Sequence, residues 1–426
     1  MKMGKYLLLS TTVLGLINPL VTFADDNGAS NQHNTVNNDK NINRKDKTQA
    51  NDDKNQANDA KTLNSGDASF PTSGQSGTVT WNIDSNGILN MSGGVLGEGF
   101  DVHETVGLSQ VEILDTIKEI KINGPLETTG SANNLFGDLQ QLTKIEGLEN
   151  LRTDNITDMT DMFSRDFELI DLNLSNFDTS NVVSMRTMFG GDLYLRNLDV
   201  SSFNTSKVTN MKQMFTSLRL LKKLDLSNFD TSNVTNMDYM FSDSDLLTDL
   251  DVSSFNTSNV KSMKNMFGQD YSLTNLDISS FDTTNTTNMT YFLSETPIHR
   301  LVLGKKTQLK GNDIELNNPD NNENYTGKWQ TVGTGEDDNP NGDFVGLSND
   351  IYARSTTNVS DTYVWQPRKV KSADVTVKYV DENGKQIEND AILTGNVGDA
   401  YKADEKNIPG YIFAEAKDGN ESGKFT

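Results

Sequence analysis

Leu221–Phe241 reads LKKLDLSNFDTSNVTNMDYMF, and this stretch decides the fold. Leu224 and Leu226 alternate with Asp225, the period of two expected of a short strand with one buried face. Phe229 follows the strand and points into the same interior. Asp230-Thr231-Ser232-Asn233 is a turn and helix-start signal, because these side chains accept hydrogen bonds from backbone N–H groups that lack a partner. Val234, Met237, Met240 and Phe241 then share one face of a predicted short helix. The unit is therefore strand, turn, short helix. It is too small to bury its apolar edge alone and has to stack on copies of itself.

The copies are present. Phe163, Phe189, Phe215, Phe241 and Phe267 recur every 26 residues, with Leu293 in the next place. Met159, Met185, Met211, Met237, Met263 and Met289 keep the same step, as do Phe177, Phe203, Phe229, Phe255 and Phe281. A period in the twenties with an L-x-x-L-x-L core is the mark of a leucine-rich-repeat solenoid. Weaker copies flank the regular zone: Ile117, Ile120 and Ile122, then Leu142, Ile145 and Leu148, and at the far end Ile298, Leu301 and Leu303. Strands are expected around residues 120, 145, 172, 198, 224, 250, 276 and 301, giving eight coils over 117–304. At roughly 4.8 Å per stacked strand the array would be about 40 Å long. The predicted class is an α/β solenoid of 26-residue strand–turn–short-helix coils, with a β-rich N-terminal cap and β-rich C-terminal domains.

Outside the array the composition changes. Residues 1–24 read as a secretion signal: Lys2 and Lys5, an apolar run over Tyr6–Ile17, and a small-residue cleavage site ending at Ala24. The run is shorter than the roughly 20 residues needed to span a membrane, so no membrane insertion is expected after cleavage. Residues 25–76, rich in Asn, Asp, Lys, Gln and Ser, are expected to be a disordered spacer. Residues 77–116 begin GTVTWNIDSNGILNMSG, a hairpin signal around Ser85-Asn86-Gly87, and are read as a cap over the first coil. Residues 305–369 form a β-rich connecting segment, with strand-like pieces at Gly327–Val332 and Thr362–Gln366 and with Trp329 and Trp365 as packing residues. In residues 370–426, Val375, Val377 and Tyr379 alternate ahead of an Asp381-Glu382-Asn383-Gly384 turn, and no closing strand is expected before Thr426.

These motifs carry two resemblances. The pattern L-D-L/V-S-x-F-D/N-T-S-x-V-x-x-M-x-x-M-F over 117–304 resembles the BspA-like leucine-rich repeats of bacterial surface proteins, and Thr80–Leu89 looks like the segment that leads into them. Val375–Val380 with Asp381-Glu382-Asn383-Gly384, Thr394–Gly398 and Ile408-Pro409-Gly410-Tyr411 resembles the mucin-binding-protein (MucBP) repeat domain. That domain occurs in surface proteins of Gram-positive lactobacilli, enterococci and listeriae. The resemblance implies a secreted or cell-surface adhesin. Two departures stand out: the MucBP-like domain is cut short, and no LPxTG-type wall anchor is visible.

The candidate site lies on the outward strand positions. Asp199, Asp225, Asp251 and Asp277 follow Asn173 in one column, and Ser201, Ser227, Ser253 and Ser279 follow Ser175 in the next. Stacked like charges repel unless screened, bridged by a cation such as Ca²⁺, or matched by a partner; Arg196, Lys222 and Lys223 are near enough in sequence to neutralise part of the column. The functional reading is a polar face for host mucin, a glycan or an extracellular-matrix protein. The plain alternative is a solvated strand face.

No catalytic residues, metal ligands or cofactor are expected. The chain has no cysteine and three histidines, His33, His103 and His299, none in a triad-like setting. Asp337-Asp338-Asn339-Pro340-Asn341-Gly342 starts like a calcium loop but carries Ser348 where the bidentate Glu belongs, so it reads as a loop. A net charge of −23 excludes nucleic-acid binding as a main role and disfavours contact with anionic membranes. The expected function is non-catalytic adhesion through the solenoid. Its alternative is a structural cell-wall or biofilm protein joining cells, and a carbohydrate-active enzyme stands third.

Overall fold

The computed structural model describes residues 6–13, 73–102, 116–311, 313–416 and 421–426, and divides into two units. One comprises 69–370 with 397–399 and holds the repeats; the other comprises 1–68, 371–396 and 400–426.

In the repeat unit the apolar columns are the core. Leu172, Leu198, Leu224 and Leu250 keep 6–9% exposure, whereas the Met and Phe columns are at 0–3%. Phe163, Phe189, Phe215, Phe241 and Phe267 stack ring on ring, with centroids 5.6–6.0 Å apart and planes within 10°.

The predicted short helix is not there. From 169 to 293 the described backbone is strand, bridge, turn and bend. The Met237, Tyr239 and Phe241 N–H groups donate forward to the carbonyls of Ser262, Lys264 and Met266 on the next coil, at 2.9, 2.7 and 3.0 Å. Met240 N–H turns back to Met237 C=O. An i→i+3 turn has the same spacing of three as a helix face, which is why Val234, Met237 and Met240 imitated one. A left-handed residue then breaks any helix: Asp161, Thr187, Gln213, Tyr239, Asn265 and Tyr291 stand at φ 51–62° in one column. What was expected as helix is a parallel ladder running Ser131, Asp158, Ser184, Asn210, Asn236, Ser262 and Asn288.

The leucine strands pair less continuously. Asp171–Leu172 pairs with Asn197–Leu198, Lys223 with Asp249, and Asn275–Ile278 with Arg300–Leu303, all parallel. Among the described residues no bridge joins the Leu198 strand to the Leu224 strand.

A second tie comes from the D/N-T-S turn. Thr231 is fully buried, accepts from Asn256 N–H at 2.8 Å and donates to Asn256 C=O at 3.0 Å. Thr205 does the same to Asp230, Thr257 to Asp282 and Thr283 to Gln308. Asn181, Asn233, Asn259 and Asn285 donate to carbonyls of the preceding coil at 2.7–3.0 Å.

Both ends of the stack are closed by strands. In this unit the described strands begin at Ser73, ahead of the expected boundary at 77: Ser73–Ser76, Val79–Ile83 and Ile88–Met91 run antiparallel. Ile88–Met91 then pairs parallel with Glu119–Ile122 of the first coil, Leu89 opposite Ile120. The hairpin turns at Gly87, whose φ is +81° and where a Cβ would lie 2.3 Å from Thr116 C=O. At the other end Arg300–Leu303 pairs antiparallel with Asp361–Pro367, which pairs with Tyr325–Thr331. Residues 305–369 therefore extend the repeat sheet rather than merely connecting two domains. They also carry an α-helix, Ser348–Ser355, that the sequence reading did not anticipate. Trp329 is fully buried, its indole N–H donating to Asn317 C=O, and Trp365 packs on His299 and Tyr325.

In the other unit Val375–Val380 pairs antiparallel with Gln386–Leu393 around the Asp381 turn. Asp381 Oδ1 accepts the N–H groups of Asn383 and Lys385 at 3.0 and 2.9 Å. Ser422–Lys424 pairs with Ala400–Lys402, so the chain carries a last strand that was not expected. Of the expected leader and spacer, residues 1–5 and 14–72 lie outside the described residues. The backbone of Tyr6–Val13 is a strand between Val375–Val380 and Ile412–Ala416.

Three buried carboxylates make the fold pH-sensitive. Asp166 Oδ1 accepts from Leu139 N–H, Asp192 Oδ1 from Asp166 N–H, and Asp270 Oδ1 from Ser244 N–H, each at 2.9 Å. The second oxygen of each has no protein partner. Burial pushes all three well above the ordinary carboxyl range, with the Asp192 charge adding to the effect at Asp166. A raised folded pKa means the native state holds protons that the unfolded chain releases above about pH 4, so this contribution is full below that and falls as pH rises. Asp192→Asn keeps the Oδ1 acceptor and removes the titration. It is expected to stabilise the protein at pH 7 by on the order of 1 kcal/mol, a gain that disappears below about pH 4, read by thermal unfolding at both pH values. Thr231→Val, which leaves Asn256 N–H and C=O without their buried partner, should cost about 2–4 kcal/mol in denaturant unfolding.

Candidate functional site

The strand alternation that buries Leu224 and Leu226 turns Asp225 outward, and the same holds in each regular coil. Asp199, Asp225, Asp251 and Asp277 are all exposed, as are Ser201, Ser227, Ser253 and Ser279. The structure thus brings the eight expected residues onto one face.

It also gives each carboxylate a local task that the spacing alone did not reveal. Oδ1 of Asp199, Asp225, Asp251 and Asp277 accepts the N–H of Ser201, Ser227, Ser253 and Ser279 at 2.9–3.0 Å, closing the turn that leaves the strand. Asn173 does the same for Ser175 at 3.1 Å without a charge. The serine hydroxyls at Ser201 and Ser253, followed by their N–H groups, hold Asp199 and Asp251 below the usual carboxyl range. At Asp225 the Ser227 N–H comes first and the hydroxyl second. Repulsion between coils acts the other way and is the smaller effect, with Asp225 raising both neighbours. These three carboxylates are therefore charged at neutral pH.

The neighbouring cations do not neutralise them. No ion pair among the described residues involves Arg196, Lys222 or Lys223. The pairs that form lie elsewhere, such as Arg186–Asp161 at 2.8 Å and Arg219–Asp243 at 2.9 Å. Among the described residues no group of three or more His, Asp or Glu is placed to hold a metal ion. Asp337, at the head of the calcium-loop look-alike, pairs instead with Arg300 at 2.9 Å. His299 packs against Trp365 with the ring planes tilted by 43°, and burial lowers its pKa.

Comparison with known proteins follows this division of the chain. Residues 131–223 and 219–300 match the family described as "Mycoplasma protein of unknown function, DUF285", and 374–426 match the MucBP domain. The chain carries DUF285 repeats over 131–300 and a MucBP domain over 374–426, which fits the resemblance to BspA-like leucine-rich-repeat surface proteins. It is 46% identical over 72 residues to Internalin J of Listeria monocytogenes serovar 1/2a, a stretch covering 17% of this chain and 8% of that protein. It is 40% identical over 53 residues to Internalin I of the same organism, covering 12% and 3%. The chain thus matches only a small part of these curated relatives. A leucine-rich repeat protein from Eubacterium ventriosum aligns over 59% of this chain and 98% of its own, at 10% identity and a TM-score of 0.19, too low to carry a structural argument. No helix among the described residues is long and apolar enough to cross a membrane.

Because Asn173 performs the turn without charge, the carboxylate's structural and binding roles are separable. Asp225→Ala should cost about 1 kcal/mol through loss of the turn acceptor, while Asp225→Asn should stay within about 0.5 kcal/mol of the parent in denaturant unfolding.

Proposed function

We propose that this protein is a non-catalytic adhesin, secreted or displayed on the bacterial surface, that binds host mucin, a glycan or a matrix protein through the strand face of its repeats. The observation that carries this reading is the fourfold repetition of an exposed Asp beside an exposed Ser at one register position. Identical groups on successive coils suit a partner with repeated basic or polyhydroxyl groups and spread affinity over several weak contacts. An asymmetric catalytic centre would instead need different residues on neighbouring coils. The MucBP domain and the internalin similarity support a role at a host surface.

The test is direct binding of the chain to immobilised mucin, fibronectin, fibrinogen and collagen, alongside a variant with Asp199, Asp225, Asp251 and Asp277 all changed to Asn. The variant keeps the turn acceptors and should retain the parent circular dichroism. Saturable binding by the parent, weakened about tenfold or more in the variant, is the expected result. Equal binding by both would move the site off the strand face. No binding to any of the four, with self-association in its place, would favour the cell–cell structural role.

A further inference from the structure

The repeats lose their regularity in one place on the surface. The position just before each strand is Glu168, Tyr194, Leu220, Leu246 and Ser272 on successive coils. Three consecutive coils thus carry an apolar residue where their neighbours are polar. Tyr194 and Leu246 are 45% and 36% exposed, and Leu220 is half-buried. Two residues further on, the same coils read Ile170, Arg196, Lys222, Thr248 and Thr274, and one step beyond that Lys223 replaces the Asp or Asn found at 171, 197, 249 and 275. An apolar stripe and a cluster of three cations therefore coincide, and both stop after two or three coils.

The structure makes a groove at this point. It has a volume of about 790 Å³, with Leu198, Leu220 and Leu246 giving it apolar wall and Arg196, Lys222 and Lys223 beside them. Asp199 is the acidic residue of the lining. Its lining comes from three successive coils, at 196–199, at Leu220, Lys222 and Lys223, and at Leu246. All three cations are exposed, and none takes part in an ion pair among the described residues.

We propose that this groove is a docking site for an extended acidic peptide carrying apolar side chains, a segment of a partner protein. The inference rests on the reading of the repeat array as a binding surface. Charge complementarity sets the sign: three exposed cations with no ion pair among the described residues, on a chain of net charge −23, form a local attractor for carboxylates. The leucines set the chemistry of the rest. Aliphatic walls gain by covering apolar side chains, whereas a sugar would set hydroxyls against them and lose hydration without compensation. Acidic residues of the peptide would meet Arg196, Lys222 and Lys223 while its apolar residues enter between Leu220 and Leu246.

The test uses the full chain and a fluorescent peptide of alternating glutamate and leucine, followed by anisotropy. Comparison probes are an alternating lysine–leucine peptide, an alternating glutamate–serine peptide and a sulfated heparin oligosaccharide. The glutamate–leucine peptide should bind best, with affinity falling as salt rises. Lys222→Gln/Lys223→Gln should weaken it about five- to tenfold, and Leu246→Ser should weaken it while leaving the circular dichroism unchanged. The proposal is overturned if the double variant binds as the parent does, if the lysine–leucine peptide binds equally, or if only the heparin oligosaccharide binds. Mucin and matrix binding, run on the same double variant, separates the two readings. Host-ligand binding that persists while no acidic peptide binds sinks the groove and leaves the adhesin. Peptide binding without any host-ligand binding does the reverse.

Discussion

The hydrogen bonds between coils are the constraint on which the rest of the structure depends. A turn-rich coil cannot satisfy its own backbone, and here it does not try: Met237, Tyr239 and Phe241 send their N–H groups to Ser262, Lys264 and Met266. Thr231 closes the neighbouring turn by accepting from and donating to a single residue of the next coil. Each of these bonds needs its partner one full repeat away. The step is 26 residues from Asp158 to Asn288, and the one longer step, 27 from Ser131 to Asp158, keeps the ladder because the extra residue shifts all of its bonds together.

The same rule explains the ends. A terminal coil would present open backbone and the flank of the Met and Phe columns to water. Ile88–Met91 meets the first coil in parallel register, and Asp361–Pro367 meets the last in antiparallel register. One cap continues the direction of the stack and the other reverses it, and either satisfies the strand it covers.

Repetition also shapes what the surface can recognise. A residue that recurs on every coil, such as Asp225 and its equivalents, first serves the coil: its Oδ1 closes a turn, and Asn173 serves equally well there. Its remaining charge is available to a partner but offers that partner the same contact at every level. Selectivity has to come from departures from the pattern. Tyr194, Leu220 and Leu246, with Arg196, Lys222 and Lys223, are such a departure, and the structure places several of them around one groove.

Stacking was legible in the sequence because burial is periodic: columns of Met and Phe at a constant step have nowhere to go except against their own copies. The outward direction of Asp199, Asp225, Asp251 and Asp277 was legible too, since strand alternation alone settles it. The conformation of Val234–Phe241 was not. A spacing of three belongs equally to a helix face and to an i→i+3 turn, and the choice lies in where the N–H groups go. Their acceptors sit on the next coil, and the left-handed Tyr239 that permits the turn carries no glycine to announce it. The buried acids were hidden for a similar reason: Asp166 and Asp192 look like surface residues until the neighbouring coil closes over them. Local pattern thus determined which residues face inward and that the coils must stack. Only the packed structure decided how each backbone group is satisfied and which surface residues meet, because those partners are one repeat or more away in the chain.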